Sequence, residues 1–198
     1  MREGHFDPKI SPVLDSEERI KELRPYQLLQ EKAGIKPGMT CIDLGSGTGT
    51  FTFPLLACIG STGIVYAIDD SEEMQAYIRS KNPPPNLIFV RSDVTQTGLD
   101  DGIADFCLLS SILHEVDQLA ELMAEAFRLL KPGGRILVVE WKAELDSPGP
   151  PRRRRLSREK VEQLFRQTGF QNIQYFDWSR NYYATRGIKK GTILAGPA

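Results

Sequence analysis

A short apolar strand that runs into a glycine loop constrains this chain more than any other feature. Residues 41–49 read C-I-D-L-G-S-G-T-G, which is an apolar strand with an embedded carboxylate, Asp43, followed by a loop. Gly45, Gly47 and Gly49 let the backbone adopt positive φ and approach a ligand closely, because they carry no Cβ. The hydride-transfer fingerprint would need glycine at position 50, where the chain has Thr50. The loop therefore predicts a nucleotide-like ligand, unless the glycines only close a tight turn.

Two later strands also lead into an acid. The strand Ile64–Ile68 ends in Asp69, 24 positions after Gly45, which is near the roughly 20-residue spacing at which an acid meets ribose hydroxyls. The strand Leu87–Val90 leads in the same way to Asp93. With Asp43, the glycines and Asp69 in this order, the chain resembles a class I S-adenosylmethionine-dependent methyltransferase. The resemblance covers roughly residues 34–190.

This resemblance implies S-adenosylmethionine as the cofactor and S-adenosylhomocysteine as its product. Asp43 would reach the positively charged methionine portion, because a buried ammonium needs an anionic or carbonyl partner. Asp69 would meet the ribose, and Asp93 the adenine amino group, with Val94 beside the ring. The other cofactor-binding residues that we expect are Gly45, Ser46, Gly47, Gly49, Asp70, Met74 and Ser110. Ser110 ends the strand Ala104–Ser110, which in this family borders the transferred methyl group.

Strands and helices alternate along the chain, which predicts an α/β fold with a doubly wound parallel sheet. Helices are expected at 16–32, 53–59, 72–80, 115–130 and 158–168. The Leu-Lys-Pro-Gly-Gly segment at 130–134 resembles the turn before the family's fifth strand, and 173–185 indicates an antiparallel C-terminal hairpin. We expect a Rossmann-like, seven-stranded methyltransferase domain over 1–198. It would comprise an N-terminal helical lid (1–33) across the cofactor cleft, the core (34–190) and a tail (191–198).

Composition argues against several other classes of protein. The formal charge is −1, 40% of residues are hydrophobic, and no apolar run approaches the roughly 20 residues of a membrane span. The N-terminus lacks the apolar core of a secretory signal, so we expect a cytoplasmic protein. Three cysteines without metal-ligand spacing predict no metal site and no disulfide framework. Cys41 and Cys107 are expected in the core, and Cys58 is expected to be similar.

Positive charge is concentrated in the last third of the chain. Residues 1–127 carry 10 Lys/Arg against 20 Asp/Glu, whereas 128–198 carry 15 against 6. Four consecutive arginines, 152–155, follow the fifth strand, on the substrate side of this fold. They could be solvated, grip an anionic small acceptor or contact a phosphate backbone. No aromatic residues interleave with them, which makes nucleic acid the weaker alternative. We expect Arg155 to face inward and bind substrate.

His114 and Glu115 are the predicted catalytic residues. They follow the fourth strand, over the expected position of the methyl group, and a histidine can take a proton near neutral pH. In the alternative interpretation, Glu115 begins a helix and His114 packs at its edge. Trp141 and Tyr183 are predicted to contact the substrate, with packing as the alternative for Trp141.

Missing motifs narrow the range of methyl acceptors that the sequence predicts. The residues after the fourth strand, 110–113, read S-S-I-L and lack the Asp/Asn-Pro-Pro-Tyr/Phe signature of adenine and glutamine methylation. The double glutamate of protein arginine methyltransferases is also missing. The chain is most similar to the ubiquinone and menaquinone biosynthesis methyltransferases, which implies a small-molecule acceptor. A tRNA or protein methyltransferase, or a cofactor-binding regulatory subunit without turnover, remains the alternative. The sequence does not address the oligomeric state.

Overall fold

The computed structural model describes residues 14–145 and 149–191, and seven strands in these residues form a single sheet. The strands are β1 (Thr40–Leu44), β2 (Ile64–Asp69), β3 (Leu87–Arg91), β4 (Ala104–Ser110), β5 (Leu130–Trp141), β6 (Phe170–Asp177) and β7 (Tyr182–Lys189). Their order is β3-β2-β1-β4-β5-β7-β6. The first five strands are parallel, and β7 lies antiparallel to both β5 and β6. The predicted Rossmann-like sheet with its antiparallel hairpin is confirmed.

Helices cover both faces of this sheet. They are α1 (Glu17–Leu23), α2 (Pro25–Leu28), α3 (Thr52–Ile59), α4 (Glu72–Ser80), α5 (Leu119–Leu129) and α6 (Arg158–Thr168). A π-helical turn, Leu29–Ala33, extends α2, and a 3₁₀ turn spans Arg152–Arg154. Ser71 and Ser157 cap α4 and α6 by accepting hydrogen bonds from backbone N–H groups in the first turn. The predicted bounds of α4 and α6 are confirmed.

Two of the predicted helices are wrong in extent. The lid helix does not run unbroken from 16 to 32, because Arg24 has φ 45° and ends α1. Pro25 disfavours helical backbone at the residue before it, so the break was legible in the sequence. The helix predicted from Glu115 begins only at Leu119, because residues 113–115 form a turn in which Glu115 N–H donates to the Ile112 carbonyl at 3.0 Å.

The Pro-Gly-Gly turn is part of β5. Ala104 pairs with Leu130, but Phe106 pairs with Arg135, so the intervening residues bulge out of the ladder. Gly134 is required in this bulge, since a Cβ there would lie 2.8 Å from the Lys131 carbonyl oxygen. Because β5 begins directly after α5 ends, the bulge lies at the start of the strand that carries Glu140 and Trp141.

The apolar core is divided between the two faces of the sheet. Cys41 and Cys107 lie fully buried in β1 and β4, as predicted, whereas Cys58 is only partly buried. No helix within the described ranges is long and apolar enough to cross a membrane. The predicted tail, apart from Gly191, lies outside the described residues, as does the lid before Leu14.

Candidate functional site

A cleft of about 1640 Å³ opens at the carboxyl ends of β1, β2 and β4. In doubly wound sheets ligands bind at this edge, where the strand order reverses. Helix α1 contributes Arg19 and Glu22 to the wall of the cleft, so the predicted lid position is matched by the geometry. The volume exceeds the roughly 300–1,000 Å³ typical of a site for one small ligand. The cleft therefore has room for two molecules side by side.

The glycine loop follows β1 and forms the floor of the cleft. Gly45, Gly47 and Gly49 all have positive φ, between 51° and 86°. A Cβ at Gly45 would lie 2.8 Å from the Ile112 side chain, so only glycine fits there. A Cβ at Gly47 would have only Leu14 within 4.0 Å, so Gly47 presents bare backbone to open space. This is the geometry that lets a ligand approach the chain closely.

Asp43 lies beneath the loop and is 2% exposed. Its Oδ2 accepts a hydrogen bond from Thr52 Oγ1 at 2.6 Å. Burial raises the pKa of Asp43 to about 7, and the charge of Asp69 contributes to the rise, while the Thr52 hydrogen bond opposes it. A cationic group bound beside Asp43 would stabilise its ionised form.

Asp69 connects the end of β2 to the loop. Its Oδ2 accepts from the Gly47 N–H at 2.8 Å, and its Oδ1 accepts from the Ser71 N–H at 3.0 Å. Burial raises the pKa of Asp69 despite these two bonds. Each carboxylate oxygen keeps a second lone pair for a ligand donor. Asp70 and Met74 also line this part of the cleft.

Asp93 and Val94 stand at the far end of the cleft, after β3. Asp93 Oδ1 accepts from the backbone N–H and the hydroxyl of Thr95, at 2.8 and 2.7 Å, which fixes the carboxylate at the exposed rim. Val94 lies beside it and supplies an apolar surface. A polar edge next to an apolar wall suits a planar heterocycle.

Two buried serine hydroxyl groups in the cleft have no partner among the described residues. Ser46 Oγ in the glycine loop and Ser110 Oγ at the end of β4 make no hydrogen bond within the described residues. Buried polar groups are nearly always satisfied in native proteins. Both serines line the cleft. They mark positions where a polar ligand would complete the structure.

His114 is held by a buried carboxylate of β5. Its Nδ1 lies 3.0 Å from Glu140 Oε2, and Glu140 is 0% exposed. Burial alone would lower the pKa of His114, but the charge of Glu140 and their hydrogen bond outweigh it and raise this pKa. Glu140 also accepts from the Leu113 N–H at 2.7 Å, so it fixes the turn as well as the ring. In a neutral ring whose Nδ1–H donates to Glu140, the lone pair would lie on Nε2.

Glu115 adds a second carboxyl group to this centre. Its Oε1 lies 3.6 Å from His114 Nε2. Burial raises the pKa of Glu115 to about 7, although the neighbouring His114 opposes the shift. Both predicted catalytic residues therefore lie in the cleft. The sequence interpretation did not include Glu140 as a site residue, and a buried acid in an apolar strand was the signal for it.

Trp141 and Tyr182 form an aromatic wall of the cleft, in which Tyr182 is fully buried. Their ring centroids are 4.3 Å apart, and both residues line the cleft. Tyr183, the predicted substrate contact, does not line it, because neighbouring residues of a strand point to opposite faces of the sheet. Its hydroxyl donates to the Leu156 carbonyl at 2.9 Å in the opposite core. We therefore assign Tyr182, and not Tyr183, to this wall.

Arg155 faces inward but does not reach the main cleft. It is 7% exposed, and it donates to the carbonyl oxygens of Pro150, Leu145 and Lys142 at 2.8, 3.1 and 3.3 Å. These bonds hold the loop that follows β5. The arginines that line the cleft are Arg153 and Arg154. The prediction that Arg155 binds substrate is therefore not supported by its position.

Polar contacts anchor helix α1 of the lid near both of its ends, and the sequence interpretation missed them. Asp15 accepts from Thr48 Oγ1 at 2.6 Å and pairs with Lys81 at 2.9 Å, which ties the lid to the glycine loop and α4. Glu22 accepts from the Asn181 backbone N–H at 2.6 Å in the turn between β6 and β7. Across the described residues, no group of three or more His, Cys, Asp or Glu is arranged to hold a metal ion.

Comparisons with known proteins agree with this geometry. The family model described as "Methyltransferase domain" matches residues 42–138, which run from β1 into β5. The solved structure of a SAM dependent methyltransferase from Aquifex aeolicus has a TM-score of 0.86 and 28% sequence identity, over 93% of this chain and 99% of that one.

Curated relatives match over part of their length. A 2-phytyl-1,4-naphtoquinone methyltransferase of Trichormus variabilis is 29% identical over 144 residues, which are 69% of this chain and 62% of that protein. A ubiquinone/menaquinone biosynthesis C-methyltransferase of Shewanella halifaxensis is 32% identical over 115 residues, which are 56% of this chain and 46% of that protein. The chain thus spans less than two thirds of either relative.

Proposed function

We propose that this chain, which belongs to the class I S-adenosylmethionine-dependent methyltransferases, transfers a methyl group from S-adenosylmethionine to a small-molecule acceptor. One observation carries the proposal. A single cleft brings the glycine loop and three strand-end acids to face a buried His–Glu pair. The first set suits a nucleoside with a cationic side chain, and the second suits an acceptor that must lose a proton.

The residues of the cleft fit the cofactor. Asp43 would bind the ammonium group, Asp69 the ribose and Asp93 the adenine amino group, with Val94 beside the ring. The unpartnered hydroxyls of Ser46 and Ser110 would gain partners from a polar ligand. When bound, the cofactor supplies a methyl group that is already activated by a sulfonium. The protein then has to position the acceptor and exclude water.

His114 acts as the general base in this proposal. Glu140 holds the ring so that Nε2 takes the proton of an acidic acceptor group, such as a phenolic hydroxyl. The proton taken up at Nε2 is stabilised by Glu140 on one side and by Glu115 on the other. A base placed in this way is typically worth about 10²- to 10⁴-fold in rate.

The acceptor side of the cleft favours a planar molecule. Trp141 and Tyr182 offer an aromatic wall, and Val116 and Pro151 add apolar surface nearby. The names of the two curated relatives refer to quinones and their biosynthesis. We therefore propose an aromatic, quinone-like acceptor.

An anionic group on the acceptor would find a partner in Arg153. This arginine lines both the main cleft and an adjoining cavity of about 440 Å³, and it makes no hydrogen bond or ion pair with another described side chain. Arg154, in contrast, pairs with Asp117 at 2.8 Å. A guanidinium group that has no such partner among the described residues is suited to a carboxylate or phosphate.

Calorimetric titration with S-adenosylhomocysteine, followed by a methyl-transfer assay on a panel of acceptors, tests the function. We expect binding, and turnover with hydroxylated aromatic or quinol acceptors but not with tRNA or protein. Arg153→Ala should raise the acceptor KM several-fold without affecting cofactor affinity, whereas the control Arg155→Ala should lower thermal stability. Binding without turnover on any acceptor would favour a regulatory subunit, and turnover on tRNA alone would replace the small-acceptor proposal.

A further inference from the structure

Arg19, on the lid helix α1, extends a guanidinium group into the cleft and has only neutral partners there. Its Nη1 donates to the Leu14 carbonyl at 2.8 Å and to Thr50 Oγ1 at 3.5 Å, and its Nη2 donates to Ser111 Oγ at 3.4 Å. The two hydroxyl contacts are long, and Arg19 forms no ion pair with any residue that the structure describes. A half-buried guanidinium fork without a carboxylate is incompletely satisfied.

The position of this group is specific. Thr50 directly follows the glycine loop, and Ser111 directly follows β4. Arg19 therefore spans the two segments that flank Asp43 and Ser110. It lies on the side of the cleft where the cofactor's methionine portion is proposed to bind, and the ribose and adenine contacts, Asp69 and Asp93, follow β2 and β3.

The charge balance of the cleft calls for a cation at this place. The methionine portion of S-adenosylmethionine is a zwitterion, and the strand-end acids Asp43, Asp69 and Asp93 can bind only donors or its ammonium group. Its carboxylate would be repelled by all three. Among the described residues that line the cleft, the Lys and Arg side chains are Arg19, Arg153 and Arg154, and the last two lie on the loop after β5, beside the acceptor side.

We propose that Arg19 binds the carboxylate of the cofactor's methionine portion, so that the lid is part of the cofactor site. This inference rests on the proposed function. Asp15 and Glu22 brace α1 on either side of Arg19, through Thr48 and Asn181, and hold the guanidinium group in place before the ligand arrives. A bidentate pair with the carboxylate would replace the two long hydroxyl contacts.

Calorimetry with two ligands tests the proposal. S-adenosylmethionine carries the carboxylate, and its decarboxylated analogue keeps the adenosine, the sulfonium and the ammonium group. Arg19→Gln should weaken binding of the first about ten- to a hundredfold, the value of a charge-assisted contact, and leave the analogue nearly unaffected. Arg19→Lys, which keeps the charge but loses the fork, should lie between wild type and Arg19→Gln.

The matched control is Lys21→Gln, which removes one positive charge from an exposed position on the same helix. It should leave both affinities unchanged. Equal weakening of both ligands by Arg19→Gln would mean that Arg19 only stabilises the lid, and no weakening of either would mean that the carboxylate binds elsewhere. Both results overturn the inference. If wild type binds neither ligand, the proposed function itself fails.

Discussion

The two halves of the cleft are assembled in different ways. In the glycine-loop half, formed by the ends of β1, β2 and β3, the main contacts join residues close in sequence: Asp43 to Thr52, nine residues apart, and Gly47 to Asp69, 22 apart. In the His114 half, formed by the ends of β4 and β5 and the start of β7, partners lie farther apart: His114 and Glu140 are 26 residues apart, and Trp141 and Tyr182 are 41 apart. The lid reaches both halves over longer separations, since Arg19 and Ser111 are 92 residues apart and Glu22 and Asn181 are 159 apart.

In the proposed function, this difference separates cofactor binding from the chemical step. The backbone and strand-end acids of the glycine-loop half, which nearby residues fix in place, would bind the cofactor. The His114 half depends on tertiary packing to bring an acid, a base and an aromatic wall together. Changes in the first half should therefore affect cofactor affinity, and changes in the second half should affect turnover.

The largest effect is expected from His114→Ala. Loss of the base should lower kcat by about 10²-fold or more, while S-adenosylhomocysteine affinity stays within about twofold of wild type. Steady-state kinetics with an acceptor from the panel, together with calorimetry, measures both quantities. Equal activity of the variant and wild type across pH 6 to 9 would leave His114 a packing role only, and the proposed separation would fail.

The variant Glu140→Gln sharpens this result. Because the charge of Glu140 raises the pKa of His114, its removal should lower that pKa. The base must be neutral to act, so the acidic limb of the kcat/KM profile should move to lower pH, with a smaller maximum. A profile that keeps its shape would show that Glu140 does not tune the ring.

The same division explains what the sequence could predict. Asp43, Asp69 and Asp93 each follow or sit in a recognisable apolar strand, and a parallel sheet brings the ends of such strands to one edge. Tyr182 and Tyr183 could not be told apart from the pattern, because a shift of one residue moves a side chain to the other face of the sheet. Only the pairing of Trp141 with Tyr182 across β5 and β7 fixes which ring packs against Trp141 at the cleft.

The roles of Arg153, Arg155 and Arg19 could not be read from the sequence for a related reason. The four arginines are consecutive in sequence, and the folded loop decides that Arg155 donates to carbonyl groups while Arg153 lines the cleft. Arg19 gives no motif at all, since its partners come from the ends of two distant strands. The break at Arg24, in contrast, was readable from the following proline.

An intermediate effect is expected from Asp69→Ala, in the glycine-loop half. Loss of charge-assisted bonds to the ribose should weaken S-adenosylhomocysteine binding by roughly 1.5–3 kcal/mol, or more than tenfold, with kcat at saturating cofactor nearly unchanged. Asp100→Ala is the control, because Asp100 is exposed and does not line the cleft. Undiminished affinity by calorimetry would remove Asp69 from the cofactor site.

The smallest effect is a pH dependence of cofactor affinity that originates in Asp43. Its pKa of about 7 means that the carboxylate is mostly protonated at pH 6 and mostly ionised at pH 8. An ammonium group pairs only with the ionised form, so affinity for S-adenosylhomocysteine should rise with pH, by about tenfold from pH 6 to pH 8 if only that form binds. 5′-Methylthioadenosine, which has the ribose and adenine but no ammonium group, serves as the control. Its profile should be much flatter, because it lacks the group that pairs with Asp43. Any contribution of Asp69 to the ribose contact is common to both ligands. If both ligands share one profile, Asp43 serves to hold Thr52 and the glycine loop, and the ammonium group is bound by another part of the cleft.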